Sequence, residues 1–368
     1  MTNSFYFRRT VFFCLTVFSL LLVTLFVTTS CNKEDSVLTP GSEAITNANS
    51  KTQNALKAYF ETKNALFTGK GSISDFKAAW VDNEKADQLA KRIEYCRDRL
   101  ATIQFGYTDY TADFEVKSVK SEGDYQRVVC LEKFRLTTND PDPEDLDKFI
   151  VTGGENLYEI VFLNTPDGRW LVKSDTCLDD DPYYVNEDVL KGSFSASVED
   201  EEIISPRSYT YNTTAAKNYA IQWYGPNNSN YNPAYASCNC CGGDCMNFVS
   251  QCLKAGNWTT NSTWNYGSTC NNSTAAWINS TNWKNYAINS GRIYSTNYAD
   301  NALYVGDILQ IDWTSNGSID HTTIVTSRTV TNGIVKVYLT CHSNNYLNKI
   351  STFFGGTHYG RRVKPSAN

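Results

Sequence analysis

The sequence predicts an α+β protein built from two folded parts, and three observations predict it. Apolar residues first recur at helical spacing and then, before residue 180, switch to the alternation of strands. Near Pro206 the composition turns sharply toward Asn, Ser, Thr, Tyr and Trp. Beyond that point an amphipathic stretch led by a cysteine precedes a second set of strand patterns. With 41% hydrophobic and 20% charged residues the composition is globular, and 368 residues allow about two domains once an export signal is removed. A net charge of −6 gives no electrostatic reason to expect nucleic acid as a partner.

At the N-terminus, Arg8-Arg9 precede an apolar run from Val11 to Val27, then Thr28-Thr29-Ser30 and Cys31. This is the order of a bacterial lipoprotein signal over residues 1–31, with Cys31 lipidated and the membrane reached through that lipid. An uncleaved anchor is the alternative, and both place the rest of the chain outside the cytoplasmic membrane. Residues 32–50, polar and containing Pro40-Gly41, read as a tether. Setting aside Cys14 and Cys31, ten of the twelve cysteines remain in an exported compartment that permits disulfides.

The first domain is expected over 51–182. Leu56, Tyr59, Phe60 and Leu66 mark one helical segment; Phe76, Trp80, Leu89, Ile93, Cys96 and Leu100 mark another. Strands follow from Phe114, through Val128 to Leu136, from Leu157 to Leu163, and from Trp170 to Lys173. Pro166-Asp167-Gly168 is a turn, and Asn139-Asp140-Pro141-Asp142-Pro143 is expected to break the sheet into a longer loop. Helices followed by an antiparallel meander describe a curved sheet wrapped around helices. That order resembles the cystatin-like or NTF2-like half-barrel. The absence of histidine from this half favours a structural or wall-contacting role.

Residues 183–206 read as an acidic linker, and 207–364 as the second domain, which holds all three histidines, His321, His342 and His358. A helix from Thr214 to Tyr224 leads it. The central stretch runs from Asp244 to Gly256. As a helix it places Cys245, Phe248, Val249, Cys252 and Leu253 on one apolar face, with Asp244 as the N-cap and Gly256 as the stop. A thiol at a helix N-terminus feels the positive end of the dipole, which favours a nucleophilic thiolate.

Cys245 needs a base, and His321 opens an alternating strand after the Asn316-Gly317 turn. The Asn332-Gly333 turn signals a two-residue hairpin. Its register would set Asn344 opposite His321 and His342 opposite Thr323, all on one face. Asn344 is then the third catalytic residue, with His342 the alternative, and a single β-bulge would shift the pairing. Cys252 reads as core. Cys238, Cys240, Cys241 and Cys245 lack the paired arms of zinc folds, so disulfides among Cys238, Cys240, Cys241 and Cys270 are expected, with no metal and no cofactor. Trp264 and Tyr266 are candidates for a substrate groove; Trp277, Trp283 and Trp313 read as core.

Tyr231-Asn232-Pro233-Ala234-Tyr235, Asp244-Cys245-Met246-Asn247-Phe248-Val249-Ser250-Gln251, Gly306-Asp307, Asp320-His321-Thr322-Thr323-Ile324-Val325 and Cys341-His342-Ser343-Asn344-Asn345 resemble the bacterial putative amidase domain family. That family is related to papain-like cell-wall hydrolases of the NlpC/P60 and CHAP type. The resemblance covers about Tyr209 to Arg362. It implies a papain-like α+β domain with the nucleophile at Cys245, the base at His321 and a third polar group at Asn344 or His342. Met246 stands where the family usually has Thr, and Cys238-Asn239-Cys240-Cys241 is an insertion at the entrance. The expected function is an extracytoplasmic amide hydrolase acting on peptidoglycan, as amidase or endopeptidase. Two alternatives stand beside it: a non-catalytic wall- or peptide-binding lipoprotein whose Cys245 sits in a disulfide, and a cysteine protease acting on proteins.

Overall fold

The computed structural model describes residues 50–179, 181–193, 209–225, 232–238 and 243–367. The expected signal and lipidated Cys31, and nearly all of the tether, lie outside them. Among the described residues no helix is long and apolar enough to cross a membrane.

Helix α1 (Ser50–Phe67) buries Leu56, Tyr59, Phe60, Lys63, Leu66 and Phe67, a stripe at helical spacing. The second expected helix is two. Helix α2 (Ile73–Ala78) ends before Trp80, which bridges to Val172, and Asp82 then caps α3 (Asn83–Ala101) by accepting the N–H groups of Glu84 and Lys85. Four antiparallel strands follow: β1 (Tyr107–Glu122), β2 (Tyr125–Asp142), β3 (Asp145–Asn164) and β4 (Trp170–Cys177). The Pro166-Asp167-Gly168 turn forms, with Gly168 at φ +82°. The expected long loop at Asn139–Pro143 does not. Strand β2 continues to Asp142 with a register shift at Pro141, and the chain reverses within residues 143–144. A bulge absorbs the missing proline donor at lower cost than breaking two long strands.

The first part of the stretch read as a linker is packed. Tyr183, Val185 and Leu190 are buried, and α4 (Glu187–Gly192) starts at an Asn186 cap. Beyond it come β5 (Tyr209–Thr210), α5 (Thr213–Trp223), α6 (Cys245–Ala255), α7 (Ala275–Ile278) and α8 (Ser280–Asn289). Strands β6 (Ile308–Asp312), β7 (His321–Thr331), β8 (Ile334–Cys341), β9 (Tyr346–Ile350) and β10 (Thr357–Arg361) form the second antiparallel array, and β11 (Ser366–Ala367) pairs with β5.

The two halves share one nine-stranded sheet, in the order β1-β2-β3-β9-β8-β7-β6-β10 with β4 on β3. Gly153 pairs with Leu347 at the seam, and Thr152 Oγ1 and Asn348 Nδ2 donate across it to Leu347 O and Val151 O. Gly154 is required there because the Tyr346 ring lies where a Cβ would stand. The first core, around α1 and α3, also takes in Ile334, Tyr338, Ile350 and Phe353 from the second half. Lys336 and Tyr338 of β8 both bond the Asp140 carboxylate of β2, buried at the same junction. A second core packs Met246, Phe248, Val249, Cys252 and Leu253 of α6 against Trp258, Trp264, Trp277 and Trp283, with Ile308 and Ile324 from the sheet. Leu309, Ile311 and Val325 face the opposite side in a third cluster.

Candidate active site

Helix α6 begins at Cys245 and stops at Gly256, as its pattern predicts. Cys245 is 5% exposed and carries a free thiol. The Thr322 and Met246 main chain and the Ser280 side chain stand close to its sulfur. These groups favour the thiolate, but burial outweighs them and holds the thiol above its ordinary pKa. The net direction is opposite to that expected from the helix dipole alone.

Asp244 does not cap the helix with its side chain. Its Oδ1 accepts the Cys238 N–H and Asn247 Nδ2, both at 2.7 Å, its Oδ2 lies 2.9 Å from His342 Nδ1, and its own N–H donates to Ser343 Oγ at 3.0 Å. The carboxylate thus ties three segments together rather than closing the helix end. Cys238 belongs to the one expected disulfide seen among the described residues, Cys238–Cys270. Cys240 and Cys241 lie outside them.

His342 stacks on Phe248, one helical turn from Cys245, at a ring separation of 3.8 Å. Its Nε2 is 2.7 Å from the Trp223 carbonyl oxygen, which only accepts, so Nε2 carries a proton. Both nitrogens of His342 are therefore engaged, one on Asp244 and one on the main chain.

The hairpin register differs from the expected one. Asn332 and Gly333 adopt positive φ, +52° and +78°, and make the two-residue turn. Pairing runs from Thr331 opposite Ile334 to Ser327 opposite Tyr338 and then slips at Thr326, so Val325 faces Leu339 and Ile324 faces Thr340. That bulge moves the pairing by one residue. Strand β8 ends at Cys341, and Asn344 sits in the turn of residues 342–345 rather than across from His321. Thr326 is held at the slip by hydrogen bonds to Thr340 Oγ1 and Asn348 Oδ1.

His321 opens β7 opposite Ile311 and stacks on Trp313 at 5.1 Å, on the sheet face it shares with Leu309, Ile311 and Val325. Helix α6 packs on the other face, with Thr322 and Ile324. No hydrogen bond joins Cys245 to an imidazole among the described residues. Burial, with the Lys349 charge behind it, pulls His321 down to about 3, so the ring is neutral. Among the described residues its buried Nε2 has no hydrogen-bond partner. His358 is committed elsewhere, to Asp300 and the Phe354 carbonyl.

Trp264 is fully buried, tilted against Trp277 and stacked on Tyr286 with its indole N–H on Ser250, and lines no groove. Tyr266 is half-buried and braces the cysteine loop, its hydroxyl accepting the Ala236 N–H and donating to Ser268 O. Trp277 and Trp283 are core, whereas Trp313 is 41% exposed because only one side of it is covered, by His321. Sequence reasoning missed Thr322 and Ser280, whose hydroxyls bond each other at 2.7 Å beside the sulfur. It also missed the structural use of Asp244. Nothing in the pattern of a Ser at a short helix start distinguishes it from a surface residue. Among the described residues no cluster of His, Cys, Asp and Glu is arranged to hold a metal ion.

Residues 210–362 match the family model described as a putative amidase domain. An uncharacterised protein of Bacillus subtilis, YjcM, is 30% identical over 165 residues, a stretch that covers 42% of this chain and 36% of YjcM. Among solved structures, the intermembrane space region of the chloroplast protein ARC6 is 15% identical with a TM-score of 0.27, covering 35% of this chain and 95% of that one. A dehydratase-like protein of the NTF2-like family from Streptomyces avermitilis is 16% identical with a TM-score of 0.25, covering 34% and 95%. At such TM-scores these two likenesses carry no argument. The match over 210–362 supports an amidase-like function for the second half.

Proposed function

We propose that this chain is an extracytoplasmic amide hydrolase in which Cys245 is the nucleophile and His321 the base, acting on peptidoglycan from a lipid anchor at Cys31. The observation that carries the reading is the placement of the Cys245 sulfur at the start of α6, close to the Thr322 and Met246 main chain, inside the amidase-like domain. His321 is preferred to His342 because its ring is neutral with Nε2 unspent, whereas His342 holds Asp244 and Trp223.

In the reaction, His321 Nε2 takes the thiol proton as Cys245 Sγ bonds to the amide carbon. The first-turn N–H groups of α6, unpaired within a helix, face the oxyanion. The imidazolium then protonates the leaving nitrogen as the C–N bond breaks, and water cleaves the thioester to release the acid and restore the thiol. His321 lies on the sheet face opposite α6, so this step requires the start of β7 to turn over when substrate binds, and unchanged release by His321→Ala would remove the ring from the chemistry. Asn344 and His342 act as positioning groups around the turn of residues 342–345. The resemblance to the amidase family, the papain-like relatives that this resemblance implies and the export signal expected over residues 1–31 support the substrate class.

A second reading has a specific observation behind it. The absence of a thiol–imidazole hydrogen bond in the described residues fits a wall- or peptide-binding module that keeps the fold. The test is release of soluble fragments from purified peptidoglycan by the mature chain, with Cys245→Ala, His321→Ala and His342→Ala beside it. The hydrolase reading expects loss of all detectable release with Cys245→Ala and a fall of about 10²–10⁴ in kcat with His321→Ala. Sedimentation of the wild type with the wall without any release would leave the binding module standing, and equal release by Cys245→Ala would remove Cys245 from the chemistry.

A further inference from the structure

A groove opens on the side of β1, β2 and β3 turned away from the first core, where these strands meet Tyr224 and Asn345 of the second half. It has about 260 Å³ of room, enough for the end of a peptide. Four charged side chains line it, Asp113, Lys133, Arg135 and Glu155. Asn345 belongs to the turn whose His342 and Ser343 hold Asp244 next to Cys245, so the groove shares a turn with the candidate active site.

Strand register sorts these charges into two rows on one face, because residues two apart along a strand look the same way. In one row Lys133 lies between Asp113 of β1 and Glu155 of β3; in the other Arg135 lies between Thr111 and Gly153. Lys133 reaches Glu115 instead, at 3.4 Å, and Lys117 holds the same carboxylate. Among the described residues Asp113 and Glu155 enter no ion pair, and Glu155 takes the Asn345 amide at 3.3 Å. Arg135 likewise meets no carboxylate there: its Nη2 donates to the Tyr224 hydroxyl oxygen at 3.4 Å, a neutral partner whose own proton is left to donate. Gly153 keeps the space beside it clear, since a Cβ would stand 3.6 Å from the Arg135 Cγ and 4.0 Å from the Tyr224 oxygen. The groove therefore presents one cation and, about 6–7 Å further along the strands, two carboxylates.

We propose that this groove binds the end of a peptide whose last residue carries an amine on a long side chain, the terminal carboxylate on Arg135 and the Tyr224 hydroxyl, the ammonium on the Asp113 and Glu155 row. A guanidinium takes a carboxylate through two parallel N–H bonds, which an internal amide cannot match. A lysine-like side chain sets its ammonium about one row away from its own carboxylate, so one residue answers both rows. A neutral glycan would answer neither. As a substrate subsite the groove rests on the hydrolase reading; as a peptide site it does not, and the first half of the chain then selects what the second half cuts.

The experiment is calorimetric titration of the mature chain carrying Cys245→Ala, so that binding is read without turnover. The probes are acetyl-alanyl-lysine with a free terminal carboxylate, the same peptide as its terminal amide, and acetyl-alanyl-norleucine with a free carboxylate. The first is expected to bind about ten-fold tighter than either of the others, the worth of one charge-assisted contact. Arg135→Gln should erase the preference for carboxylate over amide and keep that for lysine over norleucine; Asp113→Asn with Glu155→Gln should do the reverse. Thermal unfolding of each variant is expected to stay cooperative, and Tyr224→Phe, which keeps every charge, should weaken the free acid more than the amide. The proposal is overturned if the amide or the norleucine peptide binds as tightly as the first probe, if none binds at millimolar concentration, or if Arg135→Gln keeps the carboxylate preference. Binding of this pattern beside a wild-type chain that releases nothing from the wall would uphold the groove and sink the hydrolase reading, whereas release without the pattern would do the opposite.

Discussion

Replacing Asp244 tests whether hydrogen bonding or charge holds the start of helix α6. Asp244→Ala removes one acceptor from the Cys238 N–H, one from Asn247 Nδ2 and the partner of His342 Nδ1. All lie in a region where Asp244 is 2% and His342 2% exposed, so water does not replace the lost acceptor. A buried donor left unsatisfied costs about 1–3 kcal/mol, and a broken buried pair about 3–5 kcal/mol; because the three share one carboxylate the costs do not add fully, and about 4–6 kcal/mol is expected. Asp244→Asn behaves differently. Its Oδ1 still accepts from Cys238 and Asn247, while its Nδ2–H₂ donates to a neutral His342 Nδ1 whose Nε2–H stays on Trp223. Only the charge assistance is lost, about 1 kcal/mol. The assay is urea unfolding of the oxidised mature chain followed by tryptophan fluorescence, to which Trp258, Trp264, Trp277 and Trp283 of the second core contribute. A loss below 1 kcal/mol for Asp244→Ala, or equal losses for the two variants, would refute the argument.

Three further outcomes are expected. Asp307, raised to about 7 by burial, contributes stability that is complete below the ordinary carboxyl range and is lost as pH rises through 7; His321, lowered to about 3, contributes stability that is complete above 6.5 and is lost as pH falls toward 3. Between pH 4 and 6.5 the two oppose each other at about 1.4 kcal/mol per pH unit each, so Asp307→Asn should gain stability with pH relative to the wild type, and parallel urea midpoints at pH 4.5, 5.5 and 6.5 would contradict the raised Asp307. Because burial holds the Cys245 thiol up, mass-mapped iodoacetamide labelling of the native chain should rise only toward alkaline pH; rapid labelling near pH 6 would show a resting thiolate instead. Lys336→Met strands Asp140 at the junction of the two halves and should cost about 3–5 kcal/mol, read as a fall in urea midpoint, and an unchanged midpoint would mean the pair does not hold the seam.

The helix that carries Cys245, its stop at Gly256, the hairpin turn at Asn332-Gly333 and the helices-then-meander order of the first half were legible because each follows from neighbours in sequence: apolar spacing, a glycine, a turn dipeptide. The pairing beyond that turn was not. A one-residue slip at Thr326, fixed by contacts to Thr340 and Asn348, decides which residues of β7 look toward α6, and it puts Thr322 rather than His321 beside the sulfur. The same holds for Trp264 and Trp313, whose exchange of groove and core roles depends on what packs over them.

By itself, then, the sequence determined the α+β class, the two-part order and the residue types assembled around Cys245, since composition and periodicity are local properties. Tertiary structure alone decided that the two halves join in one sheet at Gly153 and Leu347, that Asp244 serves Cys238, Asn247 and His342 instead of its own helix end, and that Lys336 of β8 meets Asp140 of β2 in a buried pair. Each of these needs a partner about 100 residues or more away in sequence, Leu347 for Gly153, His342 for Asp244 and Lys336 for Asp140, and such pairings exist only once the chain has packed.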